Sequence, residues 1–459
     1  NAARWDWYDF RQEVSTQHFE DVIRWIREEG ENRPLIHEYN IIVPGSMPMF
    51  LRWSRVGARD GKDGIYLSTG TFDREFDYHT LLFNLSICRG ASLPPWQSNE
   101  QKGNTAPEWM LKHAWLMNAM GGAGTHFWEW RGNDWGVVDD AGQPSPGYPS
   151  AALINAQYEF LGDLYASSKP MPSRIGILSL NEEAFHNPRG RDRETYLIHK
   201  TLLDMGYGGE LAVLTDDEIL FEDISDFALI ISPGQARMRE SVRIKLDEFT
   251  RSGGVLWLTP ESATRDEANR QLVIAPGAPL YNTAGLAYAQ IDTPVTGTLV
   301  SDMLTDPEDQ PVASLEVTAE PRTAEPVAFV ETGQGRIPAI WRNKAGRGMA
   351  YTQVAHTAYL PLQGTPLEED REALNAYLKS NSGQLPRGII SDALKSVGMS
   401  PLARATRLGD ARTYPDVMVG VRKAEDGYFA IVIEGDNRRV DVDIHLSAER
   451  LGLTGDWSA

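Results

Sequence analysis

The sequence predicts an α/β protein in three parts, at residues 1–168, 174–385 and 388–459: a portion of a (β/α)8 barrel, a doubly wound α/β domain and a small β-sandwich. The segment 93–132 fits one strand–helix–strand unit of such a barrel. A polar, proline-bearing linker at Ala166–Ser173 follows, and strands and helices alternate beyond it. That alternation is typical of a doubly wound parallel sheet, whereas the last part contains only short strand patterns.

Local sequence signals predict each element of this barrel unit. Leu93–Ser98 is a short apolar strand, and Glu100 falls where that strand ends. Pro107–Met120 is predicted to be a helix, because proline suits its first turn and a Gly-Gly pair follows it. Thr125–Trp130 is predicted to be the next strand. Because barrel enzymes carry their catalytic groups at the carboxyl ends of strands, Glu100 is a candidate catalytic residue.

Residue types around Glu100 suit sugar chemistry. Downstream of it the chain carries Trp109, Trp115, Trp128 and Trp130. A carboxylate can attack an anomeric carbon, and indole rings stack on the C–H faces of a pyranose. The alternative interpretation is a tryptophan-rich core with a glutamate at its surface.

These motifs together resemble the retaining β-galactosidases of glycoside hydrolase family 42. The resemblance rests on Asn99–Gln101 (NEQ), a tryptophan nine residues after the glutamate, and a Gly-Gly-Ala-Gly helix end before a Phe-Trp-Glu-Trp-Arg run. By this resemblance Glu100 is the nucleophile at the end of the seventh barrel strand. Trp109 is similar to the family's stacking tryptophan, and Trp130 with Arg131 to its Trp-Arg pair. These residues are predicted to bind substrate.

The resemblance extends towards the start of the chain. Thr16–Glu29 is similar to the helix before the fifth barrel strand, with Pro34–Asn40 as that strand and Gly64–Phe72 as the sixth. Strands one to four then have no counterpart, although a complete barrel needs roughly 250 residues. The chain is therefore expected to be the C-terminal part of a longer protein whose general acid/base lies upstream. An unusual fold that begins at Asn1 is the alternative.

Glu38, near the end of the predicted fifth strand, is a further candidate substrate ligand. It could bind a sugar hydroxyl or replace a missing acid. Two segments depart from the family: 132–139 lacks the usual Glu-x-x-His stretch, and 68–72 lacks the usual Asp and Tyr. A retaining β-glycosidase is thus better supported than specificity for galactose.

The second part resembles the family's trimerisation domain, which has a flavodoxin- or class I amidotransferase-like fold. A glutaminase is the rival function for such a fold, but it needs a nucleophilic cysteine, and the segment 174–385 contains none. His186, His199 and His356 are therefore interpreted as surface or interface residues. Assembly, as a homotrimer, is the expected use of the domain.

Composition limits the partners. The 459 residues carry 44 basic and 64 acidic side chains, a formal charge of −20, which argues against nucleic acid and anionic membranes. No run approaches the ~18 apolar residues of a membrane span. The single cysteine, Cys88, is predicted to be a buried thiol and excludes a disulfide framework or a cysteine-rich zinc site within the chain. No cofactor and no metal are expected.

The sequence therefore predicts a retaining β-glycosidase, most similar to a β-galactosidase, that acts on terminal β-linked sugars by double displacement. Its two catalytic carboxyl groups should lie about 5–5.5 Å apart, the retaining spacing. The competing class is a non-catalytic carbohydrate-binding or assembly subunit, and a retaining glycosidase for another sugar is a further alternative.

Overall fold

The structure is a computed structural model of the chain, and it describes these residues: 2–33, 35–40, 64–68, 78–90, 95–99, 106–122, 124–127, 130–131, 136–186, 191–304, 312–357, 381–409, 413–414, 416–435 and 439–453. The helices are α1 (Ala2–Glu28), α2 (Tyr78–Gly90), α3 (Pro107–Met120), α4 (Tyr148–Ser167), α5 (Asn181–His186), α6 (Arg191–Asp204), α7 (Asp216–Phe221), α8 (Glu240–Arg251), α9 (Leu280–Ala284), α10 (Asn381–Ser396) and α11 (Ala448–Leu451). In the described part of the chain, no helix has both the length and the apolar character needed to cross a membrane.

The strands are β1 (Ile36–Asn40), β2 (Gly64–Ser68), β3 (Pro95–Asn99), β4 (Gly124–Phe127), β5 (Lys169–Pro170), β6 (Ile175–Leu178), β7 (Leu211–Leu214), β8 (Leu229–Ser232), β9 (Val255–Leu258), β10 (Leu286–Val300), β11 (Val312–Pro321), β12 (Glu325–Thr332), β13 (Gly335–Ala345), β14 (Gly348–Gln353), β15 (Ala355–Thr357), β16 (Ala403–Arg407), β17 (Val417–Ala424), β18 (Gly427–Glu434) and β19 (Val442–Leu446).

The chain divides into two compact units. The first contains Asn1–Phe10, Arg174–Thr201 and Leu214–Ser400, and the second contains Arg11–Ser173, Leu202–Val213 and Pro401–Ala459. The barrel strands and the C-terminal strands thus share the second unit, whereas the predicted doubly wound domain supplies most of the first. The three predicted domain boundaries remain a prediction.

The second unit contains the predicted half barrel. Strands β1, β2, β3 and β4 form one parallel sheet in chain order. Helix α3 has the predicted bounds, with Pro107 at its start and Gly121 at its end in a left-handed conformation, φ 102°. Cys88 on α2 is buried, as predicted, and burial raises the pKa of its thiol. Consecutive parallel strands with connecting helices confirm the predicted barrel portion.

Helix α1 is longer than predicted. It begins at Ala2 rather than near Thr16. Trp5 and Tyr8, three residues apart, are buried with rings 5.5 Å apart, so helical spacing gives the first turns a buried stripe. The burial of these two rings stabilises the first turns of α1. Neither proline nor glycine interrupts the segment, so the helix can begin at Ala2.

Parallel strands form the core of the first unit. Each residue of β6, β8 and β9 is buried, and the three strands pair in parallel in the order β9-β8-β6. Helix α8 packs with Val242, Leu246 and Phe249 buried, a stripe at helical spacing. Continuous apolar strands are typical of a sheet covered on both faces, as predicted for a doubly wound domain.

An antiparallel sheet continues from β14, which pairs in parallel with β9 and antiparallel with β13. The predicted hairpin at Ile340–Tyr351 is confirmed, with Gly346 at φ 62° in its turn. After Val354 the same chain segment becomes β15 and pairs with β11. The antiparallel strands pair in the order β11-β10-β12-β13-β14. Because β15 follows β14 directly in the chain and pairs with β11, these strands close on themselves. The helix predicted at Leu367–Lys379 lies outside the described residues.

Arg239 joins several buried acidic groups in the first unit. Its guanidinium donates to Glu182, lies 3.3 Å from an Asp216 oxygen, and sits over the Trp5 ring at 5.8 Å. Glu182 and Asp216 are fully buried. Burial and the neighbouring Asp216 raise the pKa of Glu182, whereas Arg239 opposes that rise. The first turn of α5, which carries Glu182, is therefore tied to the segment before α8 by charge.

The C-terminal strands form two small antiparallel sheets, as the predicted β-sandwich requires. One pairs β16 with β19 and the other has the order β18-β17-β5. Strand β5 lies inside the predicted linker Ala166–Ser173, so that segment is structured rather than a free connection. Buried Arg422 of β17 explains this, because its guanidinium donates to the Ser168 hydroxyl and to the Ser168 carbonyl at 2.9 and 3.1 Å.

Candidate active site

The carboxyl ends of the half-barrel strands share one edge of the sheet, because all four strands are parallel. They end at Asn40, Ser68, Asn99 and Phe127. Glu100 comes directly after Asn99 in the sequence but lies outside the described residues. Its assignment as the nucleophile remains a prediction. A catalytic group of a barrel enzyme is expected at the carboxyl end of a strand, and β3 ends at Asn99.

Glu38 occupies a deeper position in this sheet. The backbone pairing places it level with Tyr66, and Tyr66 level with Trp96, which precedes Glu100 by four residues. The side chain of Glu38 and all of Glu100 lie outside the described residues, so Glu38 as a hydroxyl ligand and Glu38 as the proton donor both stay predictions.

Trp130 and Arg131 follow β4 in the sequence, and Arg131 forms an isolated β-bridge with Val138. Trp130 lies in a bend with 66% of its surface exposed. The Val138 amide donates to its carbonyl at 3.0 Å, and the exposed Arg131 guanidinium donates to the Asp140 carbonyl. An exposed indole whose backbone is hydrogen-bonded to Val138 suits stacking on a sugar ring. Substrate contact by either residue remains a prediction.

Tyr148 is a candidate aromatic wall that sequence reasoning missed. Its ring centre lies 6.5 Å from that of Trp130, and the tyrosine begins α4. The Tyr148 amide donates to Ser145, whose own amide and hydroxyl donate to the Val137 carbonyl at 3.0 and 2.7 Å. An aromatic residue at the first position of the helix after the Trp-Arg strand was the available signal.

Trp109 lies in the first turn of α3, half-buried. The Lys112 ammonium sits 5.5 Å from the centre of its ring and is 3.1 Å from the Glu434 carboxylate on β18. One face of the indole thus already has a cation partner. Stacking of Trp109 on a sugar would use the remaining ring surface, and it stays a prediction.

One of the three histidines in the first unit differs from its predicted location. His199 on α6 was expected at the surface or an interface, but it is fully buried, and burial lowers its pKa to about 3. His199 lies on the buried face of α6, where Tyr196 and Leu203 are also buried. The side chain of His186 lies outside the described residues, and His356 is half-buried.

Comparisons with known proteins agree with the predicted family. Residues 212–358 match the sequence profile of the β-galactosidase trimerisation domain. No curated protein sequence matches the chain significantly. Among solved structures, a catalytic mutant of a family 42 β-galactosidase from G. stearothermophilus overlays with a TM-score of 0.71 at 15% identity, covering 94% of this chain and 62% of its own length.

Two further structures show the same fold. The β-galactosidase from the Antarctic haloarchaeon Halorubrum lacusprofundi has a TM-score of 0.66 at 16% identity and covers 94% of this chain and 68% of its own. The cold-adapted enzyme from Rahnella sp. R3 has a TM-score of 0.67 at 15% identity, covering 94% and 63%. The resemblance to glycoside hydrolase family 42 and the predicted fold class are confirmed, and the chain spans 62% of the G. stearothermophilus protein.

Proposed function

We propose that this chain, which has the fold of family 42 β-galactosidases and carries their trimerisation domain, belongs to a retaining β-glycosidase that acts on terminal β-linked galactose or a related sugar. The observation that carries the proposal is the end of β3 at Asn99, at the shared carboxyl edge of four parallel strands, because Glu100 is the next residue in the sequence. The exposed Trp130 ring beside Tyr148 supports it, since aromatic side chains at the wall of a pocket are typical of sugar sites.

In this proposal the Glu100 carboxylate attacks the anomeric carbon as the aglycone leaves, which forms a covalent glycosyl-enzyme ester. Water then attacks the same carbon and releases the sugar with its configuration retained. The Arg131 guanidinium would favour the ionised form of Glu100 by its fixed positive charge. Glu38 would bind a sugar hydroxyl, and the proton donor is left unassigned within this chain.

A panel of 4-nitrophenyl glycosides tests this function in the native protein. We expect the β-galactoside to be hydrolysed with the highest kcat/KM, and the first sugar detected by proton NMR to be the β-anomer. Release of the α-anomer first would contradict double displacement. A different preferred β-glycoside with retention would keep the mechanism and correct only the sugar.

A non-catalytic carbohydrate-binding subunit is the second candidate. Trp130, Tyr148 and Arg131 provide an aromatic and cationic surface that could hold a sugar without a proton donor. Binding of galactose in a calorimeter without hydrolysis of any aryl glycoside would favour this candidate over the enzyme.

Assembly is the second part of the proposal. Because residues 212–358 match a trimerisation domain, we propose that the native protein is a homotrimer. A cyclic trimer repeats one contact around a closed ring, and stable interfaces of this kind commonly bury above about 2,000 Å². Light scattering after size-exclusion chromatography should therefore give three times the mass of one chain. A monomer at micromolar concentration would contradict the prediction.

A further inference from the structure

We propose that Glu261, Glu316 and His356 form a site for a divalent transition metal, with Zn²⁺ as the preferred ion. One ligand atom from each of the three side chains lies within 4.8 Å of the other two. All three residues belong to the first unit, which does not contain the barrel strands. The site goes beyond the proposed glycosidase function, and the sequence alone predicted no metal.

The three ligands come from three separate segments. Glu261 lies in the loop after β9, Glu316 on β11 and His356 on β15. Ser314 pairs with His356 across the two antiparallel strands, and Glu316 is two residues further along β11 on the same face as Ser314. Side chains at such diagonal positions are within reach of each other when they are long. The convergence of Glu316 and His356 is therefore produced by strand register, whereas Glu261 reaches them from the loop after β9.

The site lies where two parts of the sheet meet. Strand β14 pairs with β9 in the parallel part, and after Val354 the same segment becomes β15 and pairs with β11 in the closed antiparallel part. A metal held by Glu261 from the parallel side and by Glu316 and His356 from the antiparallel side would link the two. Such a cross-link restricts the unfolded chain and stabilises the junction.

Ligand chemistry favours zinc. Zn²⁺ binds imidazole nitrogen and carboxylate oxygen at about 2.0–2.2 Å in a tetrahedral arrangement. Neighbouring ligand atoms would then be roughly 3.4 Å apart, so the group must close by about 1.4 Å or less from its spacing of at most 4.8 Å in the structure. Both glutamates are exposed and can make that movement. Mg²⁺ and Ca²⁺ prefer oxygen ligands only, so the imidazole disfavours them.

Charge and loop geometry agree with a bound cation. Across the ranges that the structure describes, neither Glu261 nor Glu316 has a lysine or arginine within ion-pair distance. Two carboxylates and one Zn²⁺ would be neutral together. The loop that carries Glu261 is fixed, because the Ser262 hydroxyl donates to the Ser232 carbonyl at 2.8 Å and the Ala263 amide to Gln235 at 2.9 Å. One ligand is thus held on an ordered backbone before metal arrives.

Isothermal titration of the chelator-treated native protein with ZnCl₂ tests the proposal. The variants are His356→Ala and Glu316→Gln. The matched control is Glu320→Gln, which removes an exposed carboxylate from the same strand four residues away. We expect one zinc equivalent per chain in the wild type and in the control, and at least a tenfold weaker affinity in both ligand variants. MgCl₂ should give no comparable binding.

Three results would overturn the proposal: no zinc equivalent in the wild type, unchanged affinity in His356→Ala, or equal binding of Mg²⁺ and Zn²⁺. The last would indicate only an acidic surface. Circular dichroism establishes that each variant is folded. Glu261→Gln changes the ligand in the loop after β9 and should also lose the zinc equivalent that the wild type binds. Zinc should raise the melting temperature of the wild type and the control but not of the ligand variants.

Discussion

Replacing Glu100 by glutamine is expected to lower kcat of the native protein by at least about a thousandfold, which corresponds to about 4 kcal/mol of transition-state stabilisation. Glutamine keeps the size of the side chain but cannot form the glycosyl ester. The effect should appear in kcat and kcat/KM together, because the lost interaction exists only along the reaction path. Initial rates with 4-nitrophenyl β-galactoside measure it.

The rescue experiment distinguishes a nucleophile from a residue that only supports the site. In Glu100→Gly, azide can occupy the space of the missing carboxylate and attack the anomeric carbon from the same side. The expected product is an α-glycosyl azide, with the rate restored in part. Glu108→Gln is the matched control, since Glu108 is an exposed carboxylate in the first turn of α3. A Glu100→Gln protein that keeps more than about a tenth of the wild-type kcat would refute the assignment.

Local signals predicted much of the barrel portion. Pro107 and Gly121 define α3 because each has a backbone preference that needs no tertiary context. The bounds of the parallel strands were predicted to within a few residues, since short apolar runs between helices leave little freedom. Helix α1 was predicted too short because its first turns are stabilised by contacts with distant residues, such as that of Trp5 with Arg239.

Long-range pairing explains what the sequence could not predict. Glu316 and His356 converge through the register of β11 with β15, and Glu261 joins them from the loop after β9. The Trp130–Tyr148 contact accompanies the bridge between Arg131 and Val138, and β5 depends on pairing with β17 more than two hundred residues later. No local periodicity encodes such contacts. The candidate nucleophile is the converse case, since Glu100 was predicted from its motif alone and remains a prediction.

Arg239→Met is expected to have the largest effect on stability in the first unit. The guanidinium forms ion pairs with Glu182 and Asp216, both fully buried, and Asp9 lies 3.9 Å away on α1. Removing one partner of a buried ion pair leaves an uncompensated charge and costs about 3–5 kcal/mol. We expect about 3 kcal/mol, because one-fifth of the Arg239 side chain is exposed to solvent.

The same variant should be more destabilised at pH 8 than at pH 6. Burial already raises the pKa of Glu182 above its unfolded value, and Arg239 opposes that rise, so the variant raises it further. A folded state that binds more protons than the unfolded state loses stability as pH increases. Urea unfolding at the two pH values measures the difference. Arg336→Met removes an exposed ion pair with Glu331 and should change the free energy of unfolding by less than about 1 kcal/mol at either pH. Equal destabilisation of the Arg239 variant at both pH values would show that Glu182 is not the group left without its partner.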